Sequence, residues 1–547
     1  MAGYDTIVVG AGAAGAPLAA RLSEDPARRV LLLEAGSDHP TTRSFPPEIR
    51  DAGSMGAVMP GHPNNWAFMG RMNDRVSFAV ARGKIVGGST ALNGTYFIRA
   101  RRADFERWVA LGNPAWSFEQ VLPFYRRMED DADYGDTPVH GAGGPIPVQR
   151  ALRDLHPITR AFNAACAELG FAHEPDKNDQ GLPGFGPVPV NARGGLRYNT
   201  AIAYLNPVRR SRRNLTITAQ AFVRRVLFDG AGTATGVEVD VEGRRQTIEV
   251  AAGGEVILSA GAVKTPHLLL CSGVGPADQL SRLAIPVIHD SPGVGRDLID
   301  HPEIIFNWTP RRRFGGRHRS DALQAVLNFT AQGSPFAGDL EILCIFKPFA
   351  DLVMASGGAW RRPVATVRAL RGMSLRQVQV QFSRRHDIGF PIALQQEESR
   401  GSITLASPDP TVPPDIFYNY LATEFDRARM REVTRTAVAL VESQAFSDLV
   451  AGHELPAAVV ADDDALDEWL ATHLGTSIHM VGSCRMGPPD DPGAVVDQFG
   501  VVRGVGGLRV VDTSIFPTVP SRGPAATATM VAERIAAAIG EGLSPSH

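Results

Sequence analysis

The segment IHMVGSCRMG, residues 478–487, contains a histidine at position 479 whose side chain could carry a proton. Imidazole has a pKa near neutrality, so a histidine held beside a reacting group can accept a proton under physiological conditions. A single histidine among Ile, Met and Val is equally compatible with a neutral side chain packed in a core. The segment alone leaves both interpretations open, and the rest of the sequence has to decide between them.

A second chemical signature is the glycine-rich run VVGAGAAG, in which Gly10, Gly12 and Gly15 have the GxGxxG spacing. The first glycine permits a tight turn, the second lets a pyrophosphate approach the backbone, and the third lets helix and strand pack closely. Glu34 follows at the distance expected for an acid that accepts hydrogen bonds from an adenosine ribose. The pattern predicts dinucleotide binding and does not separate FAD from NAD.

The elements around this turn are those that such a site needs. The run TIVVG, residues 6–10, predicts a buried strand, residues 13–23 predict a helix, and RVLLLEAG, residues 29–36, predicts a second parallel strand. Together they form a βαβ unit, which places the glycine turn at the start of the helix. The positive end of the helix dipole then faces the phosphate charge.

Strand patterns recur far along the chain. GGEVILSAG (253–261) and LRVVDTS (508–514) predict buried parallel strands, the latter followed by a helix over 524–540. QVQVQFS (377–383) alternates as a half-buried strand does, and GSITLAS (401–407) indicates antiparallel sheet. The sequence therefore predicts an α/β unit combined with an α+β unit.

Bulk composition narrows the classes of function. A net charge of −3 over 547 residues gives no reason to expect nucleic-acid binding. The four cysteines contain no CxxC pair and the 14 histidines no HxxxH or HExxH pattern, so neither disulfides nor a metal site is expected. No apolar run reaches the roughly 18 residues of a membrane span, and the first strand begins too early for a signal peptide. We therefore expect a cytoplasmic protein with at most peripheral membrane contact; no pattern predicts an oligomeric state.

Segments along essentially the whole chain resemble the glucose–methanol–choline (GMC) family of FAD-dependent oxidoreductases. In chain order they are VVGAGAAG (8–15), GKIVGGSTALNGTYF (83–97), SAGAVKTPHLLLCSGVGP (259–276), PGVGRDLIDHP (292–302), ESRGSITLASPDPTVPPDIFYNYL (398–421), HMVGSCRMG (479–487) and GLRVVDTSIFPTVPS (507–521). The resemblance implies a discontinuous Rossmann-type FAD domain and a substrate domain built on an antiparallel sheet. We expect the FAD domain to comprise 1–40, 80–135, 215–305 and 486–547, an irregular lid 41–79, and the substrate domain 136–214 and 306–485.

The resemblance also assigns roles to positions that match the family's motifs. The ADP half of FAD is expected at Gly10, Gly12, Gly15 and Glu34, and the isoalloxazine and ribityl chain along Gly87, Gly88, Ser89 and Asn93. The backbone of Val223 matches the adenine contact, and Asp512 with Thr513 matches the ribityl–pyrophosphate region, although Asp512 could instead cap a strand end. Some members tether FAD through a histidine just upstream of the position of Asn93. GGSTALN has none, so FAD is expected to be non-covalent.

In the family, the histidine matching His479 stands over the flavin and accepts the hydroxyl proton of an alcohol while hydride leaves for flavin N5. The resemblance thus favours His479 as a catalytic base over a core residue. The chain is expected to be an alcohol oxidase or dehydrogenase acting on CH–OH donors.

The second catalytic residue of the family, Asn or His, is missing here, because the matching position is Ala525 in PSRGPAATATM (520–530). Three explanations remain: an introduced inactivating change, a natural site in which His479 works with water or the hydroxyl of Ser521 or Thr527, or a flavoprotein that no longer oxidises alcohols. Losing one donor to a developing oxyanion costs on the order of 10²–10³ in rate. We expect reduced catalytic activity rather than none.

Substrate class is only weakly indicated. Two arginine-rich runs predict either solvated surface or an entrance for an anionic or bulky small-molecule alcohol; they contain Arg311, Arg312, Arg313, Arg317, Arg319, Arg361, Arg362, Arg368, Arg371 and Arg376. NGTYFIRARRADFERW (93–108), DTPVHGAGGPIPV (136–148) and the PSRGP corner (520–524) look similar to the mycofactocin-associated subgroup, whose members are thought to oxidise a reduced peptide-derived cofactor and pass the electrons to a respiratory acceptor. A non-redox lyase that retains FAD is a further alternative.

Overall fold

A computed structural model of the chain describes residues 3–312, 314, 323–348, 351–352 and 386–542. The strand predicted at 377–383 lies outside these residues. Within them the α-helices are α1 Gly15–Leu22, α2 Pro47–Arg50, α3 Arg102–Ala110, α4 Phe118–Met128, α5 Pro157–Glu168, α6 Asn206–Val208, α7 Gly261–Cys271, α8 Ala277–Arg282, α9 Glu424–Glu442, α10 Ala457–Ala461, α11 Asp463–His473 and α12 Ala525–Gly540.

The strands of the same residues are β1 Tyr4–Val9, β2 Val30–Leu33, β3 Phe68–Arg71, β4 Ser77–Val80, β5 Glu129–Asp131, β6 Ile146–Val148, β7 Phe185–Pro187, β8 Ala192–Arg193, β9 Leu196–Arg197, β10 Leu215–Thr218, β11 Ala221–Phe228, β12 Ala234–Val241, β13 Arg244–Leu258, β14 Val274–Gly275, β15 His289–Asp290, β16 Pro302–Pro310, β17 Leu323–Phe329, β18 Leu340–Ile345, β19 Ile388–Leu394, β20 Ser402–Thr404, β21 Asp415–Phe417, β22 Val450–His453, β23 Gly475–Thr476 and β24 Leu508–Val510. Short 3₁₀ and π turns connect several of these elements.

The first large sheet is built on parallel strands, as the N-terminal βαβ pattern predicts. Its order is β10-β2-β1-β13-β12-β11, with β24 on the other side of β13. β1 pairs in parallel with β2 and with the end of β13, and β24 continues the parallel set. The other end of the long strand β13 forms an antiparallel ribbon with β12 and β11. All four residues of β2 are buried, which is expected of a strand covered on both faces.

The second large sheet is antiparallel. Its order within the described residues is β22-β16-β19-β18-β17-β7, and β23 pairs with β16. α9 packs along β19 and β18, so one face of this sheet is covered by a long helix. The combination of a parallel α/β sheet and a separate antiparallel sheet confirms the predicted fold class.

A smaller sheet corrects the expectation that residues 41–79 are irregular. β3 and β4 lie in this stretch, pair with each other, and join β21 and β20 in a four-stranded sheet. The sequence did not reveal them because each is only four residues long and one of them is mostly exposed. The predicted C-terminal helix is confirmed as α12, which packs on α1 and α4.

Among the described residues, no helix combines the length and the apolar character that crossing a membrane requires.

Candidate active site

One cavity, of about 330 Å³, brings together residues from distant parts of the chain. His479, Ala525 and all the residues predicted to bind cofactor line it except Gly15 and Gly87. They approach it from the turn after β1, the end of β2, the 3₁₀ turn at 88–91, strand β11, the segments that follow β23 and β24, and the start of α12. Residues predicted from separate motifs therefore form a single site.

The glycine turn has the geometry that its spacing predicts. Gly10 has φ +100°, a left-handed conformation that side chains rarely adopt. A Cβ at Gly15 would lie 1.9 Å from the carbonyl oxygen of Gly10, so this glycine is required for the helix to pack on the turn. A Cβ at Gly12 would have only Gly88 Cα near it, at 3.8 Å, and would project into the cavity. Gly12 thus leaves room for a ligand to reach the backbone.

Glu34 is 6% exposed and lines the same cavity at the end of β2. Its carboxylate accepts backbone N–H groups from Ala11 at 3.0 Å and from Gly36 at 2.8 Å. Burial raises the pKa of Glu34 to about 7, although these backbone donors oppose the shift. A buried carboxylate beside a glycine cradle that a Cβ would fill fits the ribose and diphosphate of a dinucleotide.

The second glycine loop meets the first. Gly88 has φ +53°, and the amide of Gly87, a residue outside the cavity lining, donates to the carbonyl of Ala11 at 2.7 Å. Ser89 accepts the amide of Gly83 through Oγ at 3.1 Å. Asn93 lies at the cavity wall, where its Oδ1 accepts the amide of Thr95 at 3.2 Å. The loop therefore presents backbone and small polar groups to the cavity.

Asp512 follows the end of β24, caps the 3₁₀ turn at 513–515, and lines the cavity together with Thr513. Its carboxylate accepts the amide of Ser514 at 2.8 Å, the amide of Gly261 at 2.8 Å and the hydroxyl of Thr265 at 2.6 Å. Burial raises the pKa of Asp512. The aspartate holds the start of α7 against the end of β24, so its placement is at least structural.

His479 lines the cavity, and the polar partner of its ring is a second histidine. Nδ1 of His479 lies 2.9 Å from Nδ1 of His301, and Nε2 of His301 lies 3.0 Å from the carbonyl oxygen of Pro520. A Cβ at Gly523 would lie 3.2 Å from both Cε1 and Nε2 of His479. Burial above all lowers the pKa of His479 well below its ordinary value, and the positive charge of Arg82 acts in the same direction. The imidazole is therefore neutral and able to accept a proton.

Asp300 holds the two histidines by their backbones. Its Oδ1 accepts the amide of His301 at 2.7 Å and the amide of His479 at 2.6 Å. Its Oδ2 accepts the hydroxyl of Thr476 at 2.8 Å. Burial raises the pKa of Asp300 to about 6, and the nearby positive charge of Arg82 opposes the shift.

Two hydroxyl groups lie near Ala525, the position at which the hydrogen-bond donor of the family is missing, and both have other partners. Ala525 is the first residue of α12 and lines the cavity. Ser521 instead donates through Oγ to Asp104 at 2.9 Å, and Thr527 Oγ1 lies 2.8 Å from the hydroxyl of Tyr125. Both hydroxyls belong to buried contacts away from the cavity lining, which argues against the alternative in which one of them assists His479 and leaves the other two explanations open.

Sequence reasoning missed several residues of the site. Arg82, Tyr96 and Ser477 line the cavity. Asp300 accepts the backbone amide of His479, and His301 contacts its ring. Asp300 and His301 are adjacent in the PGVGRDLIDHP segment, and an acid followed by a histidine inside a recognised motif was the available signal. Arg82 and Ser477 are flanked by motif residues but carry no pattern of their own.

The arginine-rich runs do not contribute to the cavity where they are described. Arg311 and Arg312 are exposed and do not line it; Arg311 donates through Nε to the carbonyl of Ser447 at 3.1 Å. Arg313, Arg317, Arg319, Arg361, Arg362, Arg368, Arg371 and Arg376 lie outside the described residues. A charged entrance stays a prediction.

A buried cluster of Glu129, Asp131 and His140 has ligand-type atoms close together but lies apart from the cavity lining. His140 Nε2 is 2.7 Å from Asp176 Oδ2, and Arg150 pairs with Asp131 at 2.8 Å. Burial alone would lower the pKa of His140, but the surrounding carboxylates raise it to about 10. A protonated imidazole has no free lone pair, so this cluster is an ion-pair network.

Comparison with known proteins gives a consistent result. Residues 4–303 and 397–532 match the N-terminal and C-terminal models of GMC oxidoreductases. A GMC-type oxidoreductase of Rhodococcus erythropolis is 40% identical over 97% of both chains. An oxygen-dependent choline dehydrogenase of Photobacterium profundum is 33% identical over 100% of this chain and 94% of its own. The crystal structure of pyridoxine 4-oxidase from Mesorbium loti superposes with a TM-score of 0.85 at 27% identity, covering 100% of both chains.

Proposed function

Because the chain belongs to the GMC oxidoreductase family, whose members bind FAD, we propose that it oxidises the CH–OH group of a small-molecule alcohol with His479 as the base. The observation that carries this proposal is the single cavity into which the glycine turn, Glu34, the second glycine loop and His479 all project. When bound, FAD supplies the two-electron acceptor for the reaction.

The residues of the cavity fit this cofactor. Gly12 leaves space where a Cβ would stand, and Glu34 offers buried carboxylate oxygens to hydroxyl donors. Ser89, Leu92 and Asn93 line the cavity along the second glycine loop, and none of these side chains is a histidine. We therefore propose that FAD is held without a covalent bond.

The chain's own groups would activate the alcohol. The neutral imidazole of His479 takes the hydroxyl proton, which breaks the O–H bond and leaves negative charge on the substrate oxygen. That charge weakens the C–H bond from which hydride departs, and a carbonyl product forms. Arg82 lines the same cavity, and its positive charge stabilises an anionic oxygen there. Buried apolar residues such as Leu92 and Met480 limit access of water.

The test is flavin reduction without oxygen. The purified holoprotein is mixed with a panel of alcohols that includes choline and pyridoxine, named by the relatives, and bleaching of the flavin is followed. At least one alcohol should reduce the flavin, and His479→Gln should slow reduction by roughly 10²–10⁴-fold while retaining FAD. A flavin that no alcohol reduces, or equal rates with His479→Gln, would contradict the proposal.

The same experiment tests two further points: whether the protein is a non-redox lyase, and whether oxygen or another compound accepts the electrons. Turnover with a flavin that stays oxidised would identify a non-redox lyase. Admitting air to the reduced enzyme distinguishes an oxidase, which is reoxidised at once, from a dehydrogenase that needs another acceptor. Oxidation of a reduced peptide-derived cofactor stays a prediction, because it rests on the similarity of sequence segments alone.

A further inference from the structure

We propose that His301 is a positioning residue that fixes the tautomer of His479, so that Nε2 of His479 presents its lone pair to the cavity. This inference rests on the proposed role of His479 as the base. It goes beyond that role because it assigns a function to a second histidine, 178 positions away in sequence.

The first step assigns the hydrogen on the ring of His301 from its contact with a carbonyl group. Pro520 offers only its carbonyl oxygen to Nε2 of His301 at 3.0 Å, and a carbonyl oxygen can only accept. Nε2 of His301 therefore carries a hydrogen. The side chain is fully buried, and burial lowers the pKa of His301 to about 3, so the ring holds no second proton near neutrality. Nδ1 of His301 is consequently a hydrogen-bond acceptor.

The second step determines which ring nitrogen of His479 carries the hydrogen. Nδ1 of His479 lies 2.9 Å from the acceptor Nδ1 of His301, so Nδ1 of His479 must carry the hydrogen. His479 is neutral too, which leaves its Nε2 without a hydrogen. The chain of contacts from Pro520 through His301 to His479 thus has one consistent direction.

The third step concerns orientation. The two rings are nearly perpendicular, at 86° with centroids 5.1 Å apart, and Asp300 binds both backbone amides. Nε2 and Cε1 of His479 both lie 3.2 Å from where a Cβ on Gly523 would stand, and both residues line the cavity. The edge of the ring that carries Nε2 therefore faces the cavity, on the side where a substrate hydroxyl would be.

These hydrogen bonds persist when His479 accepts a proton. When a hydroxyl proton moves to Nε2 of His479, the O–H bond breaks, an N–H bond forms, and the ring becomes an imidazolium. Its Nδ1–H still donates to His301, and His301 still donates to Pro520, so no hydrogen bond has to be rearranged. The charged groups facing the imidazolium are Asp300, which favours it, and Arg82, which opposes it.

The kinetic test uses a matched pair of substitutions. His301→Asn places an oxygen acceptor near the position of Nδ1, whereas His301→Leu removes the acceptor at similar size. Flavin reduction by a saturating alcohol should fall by about 10- to 100-fold in His301→Leu and by less than about 5-fold in His301→Asn, with KM little changed in both. His473→Leu, an exposed histidine on α11, is the control and should leave both parameters unchanged.

A direct readout requires no substitution at position 301. With ¹⁵N-labelled histidine in the holoprotein, the chemical shifts distinguish a protonated ring nitrogen from an unprotonated one, and His479→Gln identifies the signals. We expect a protonated Nδ1 and an unprotonated Nε2 at His479. A proton on Nε2 would overturn the proposal even if His301→Leu proved unable to fold.

The outcomes separate this inference from the proposed function. If His301→Leu reduces flavin as fast as wild type while His479→Gln is slow, the positioning role is wrong and the base stands. If His301→Asn is as slow as His301→Leu, the acceptor role is wrong. If His479→Gln itself is as fast as wild type, the proposed function fails first.

Discussion

Gly12 and Gly88 meet backbone to backbone: a Cβ added to Gly88 would lie 2.5 Å from Cα of Gly12. Two glycine motifs more than seventy residues apart in sequence thus depend on each other. The contact joins the turn after β1 to the start of the 3₁₀ turn at 88–91, and both sides line the cavity.

Substituting these two glycines should therefore have different effects. Gly12→Ala meets no close neighbour and should leave the melting temperature nearly unchanged, while its methyl group enters the cavity and weakens FAD binding. Gly88→Ala combines overlap with a left-handed backbone, which costs about 1–2 kcal/mol by itself, and should lower both stability and FAD content. Thermal unfolding and flavin titration measure the two effects, with Gly452→Ala, where a Cβ meets nothing, as control. Unchanged FAD affinity in Gly12→Ala would contradict the assignment of the cavity.

Gly523→Ala should affect chemistry without affecting the cofactor. The added Cβ would stand 3.2 Å from Nε2 of His479, closer than most carbon contacts, so the imidazole must shift or its lone pair is shielded. We expect the rate of flavin reduction to fall by about 10-fold or more, since a misplaced base loses part of its contribution. Gly94→Ala, also at the cavity wall but with its nearest neighbour at 3.7 Å, is the matched control. Equal rates for the two variants would show that Gly523 does not set this contact.

Ala525→Asn should accelerate the proposed reaction. Its amide would add a hydrogen-bond donor at the cavity wall, where the developing oxyanion needs one, and a gain of about 10- to 100-fold in flavin reduction is expected. Ala525→Leu has nearly the same size without a donor and should give no gain. If the Asn and Leu variants behave alike, volume rather than hydrogen bonding governs this position. Ala525→His offers a second donor of different reach.

Glu303 should make stability depend on pH. Burial raises the pKa of Glu303 to about 7 from its ordinary 4.5, and its carboxylate accepts the hydroxyl of Ser477 at 2.8 Å. Between these pH values the folded protein retains a proton that the unfolded chain has released. The contribution of Glu303 to stability is thus present below about pH 4.5 and is lost as pH rises through about 7.

Melting temperatures of the holoprotein measured from about pH 5 to about pH 8 test this sign. Glu303→Gln keeps an oxygen acceptor for Ser477 and cannot ionise, so its melting temperature should decline less over this range than that of the wild type. Asp300, whose pKa burial raises to about 6, contributes a slope in the same direction to both proteins. A steeper decline in Glu303→Gln would show that the carboxylate is ionised in the folded state.

Local patterns accounted for much of the fold. The βαβ unit follows from a buried strand, a glycine turn and an apolar helix that are contiguous, so spacing alone specifies β1, α1 and β2. The C-terminal helix was likewise visible as a continuous Ala-rich run. β3 and β4 were missed because four residues offer too little alternation. β3 is positioned by pairing with β21, more than three hundred residues later, and β4 pairs with β3.

The sequence by itself determined the chemical groups: the glycine turn, the acid at Glu34, the histidine at 479 and the alanine at 525 follow from types and spacing along one segment at a time. Only the tertiary structure decided how these groups act. It turned the hydroxyls of Ser521 and Thr527 toward Asp104 and Tyr125, and it placed His301 against His479. The direction of a side chain depends on the partners that chain folding brings to it, and no local spacing encodes partners hundreds of residues away.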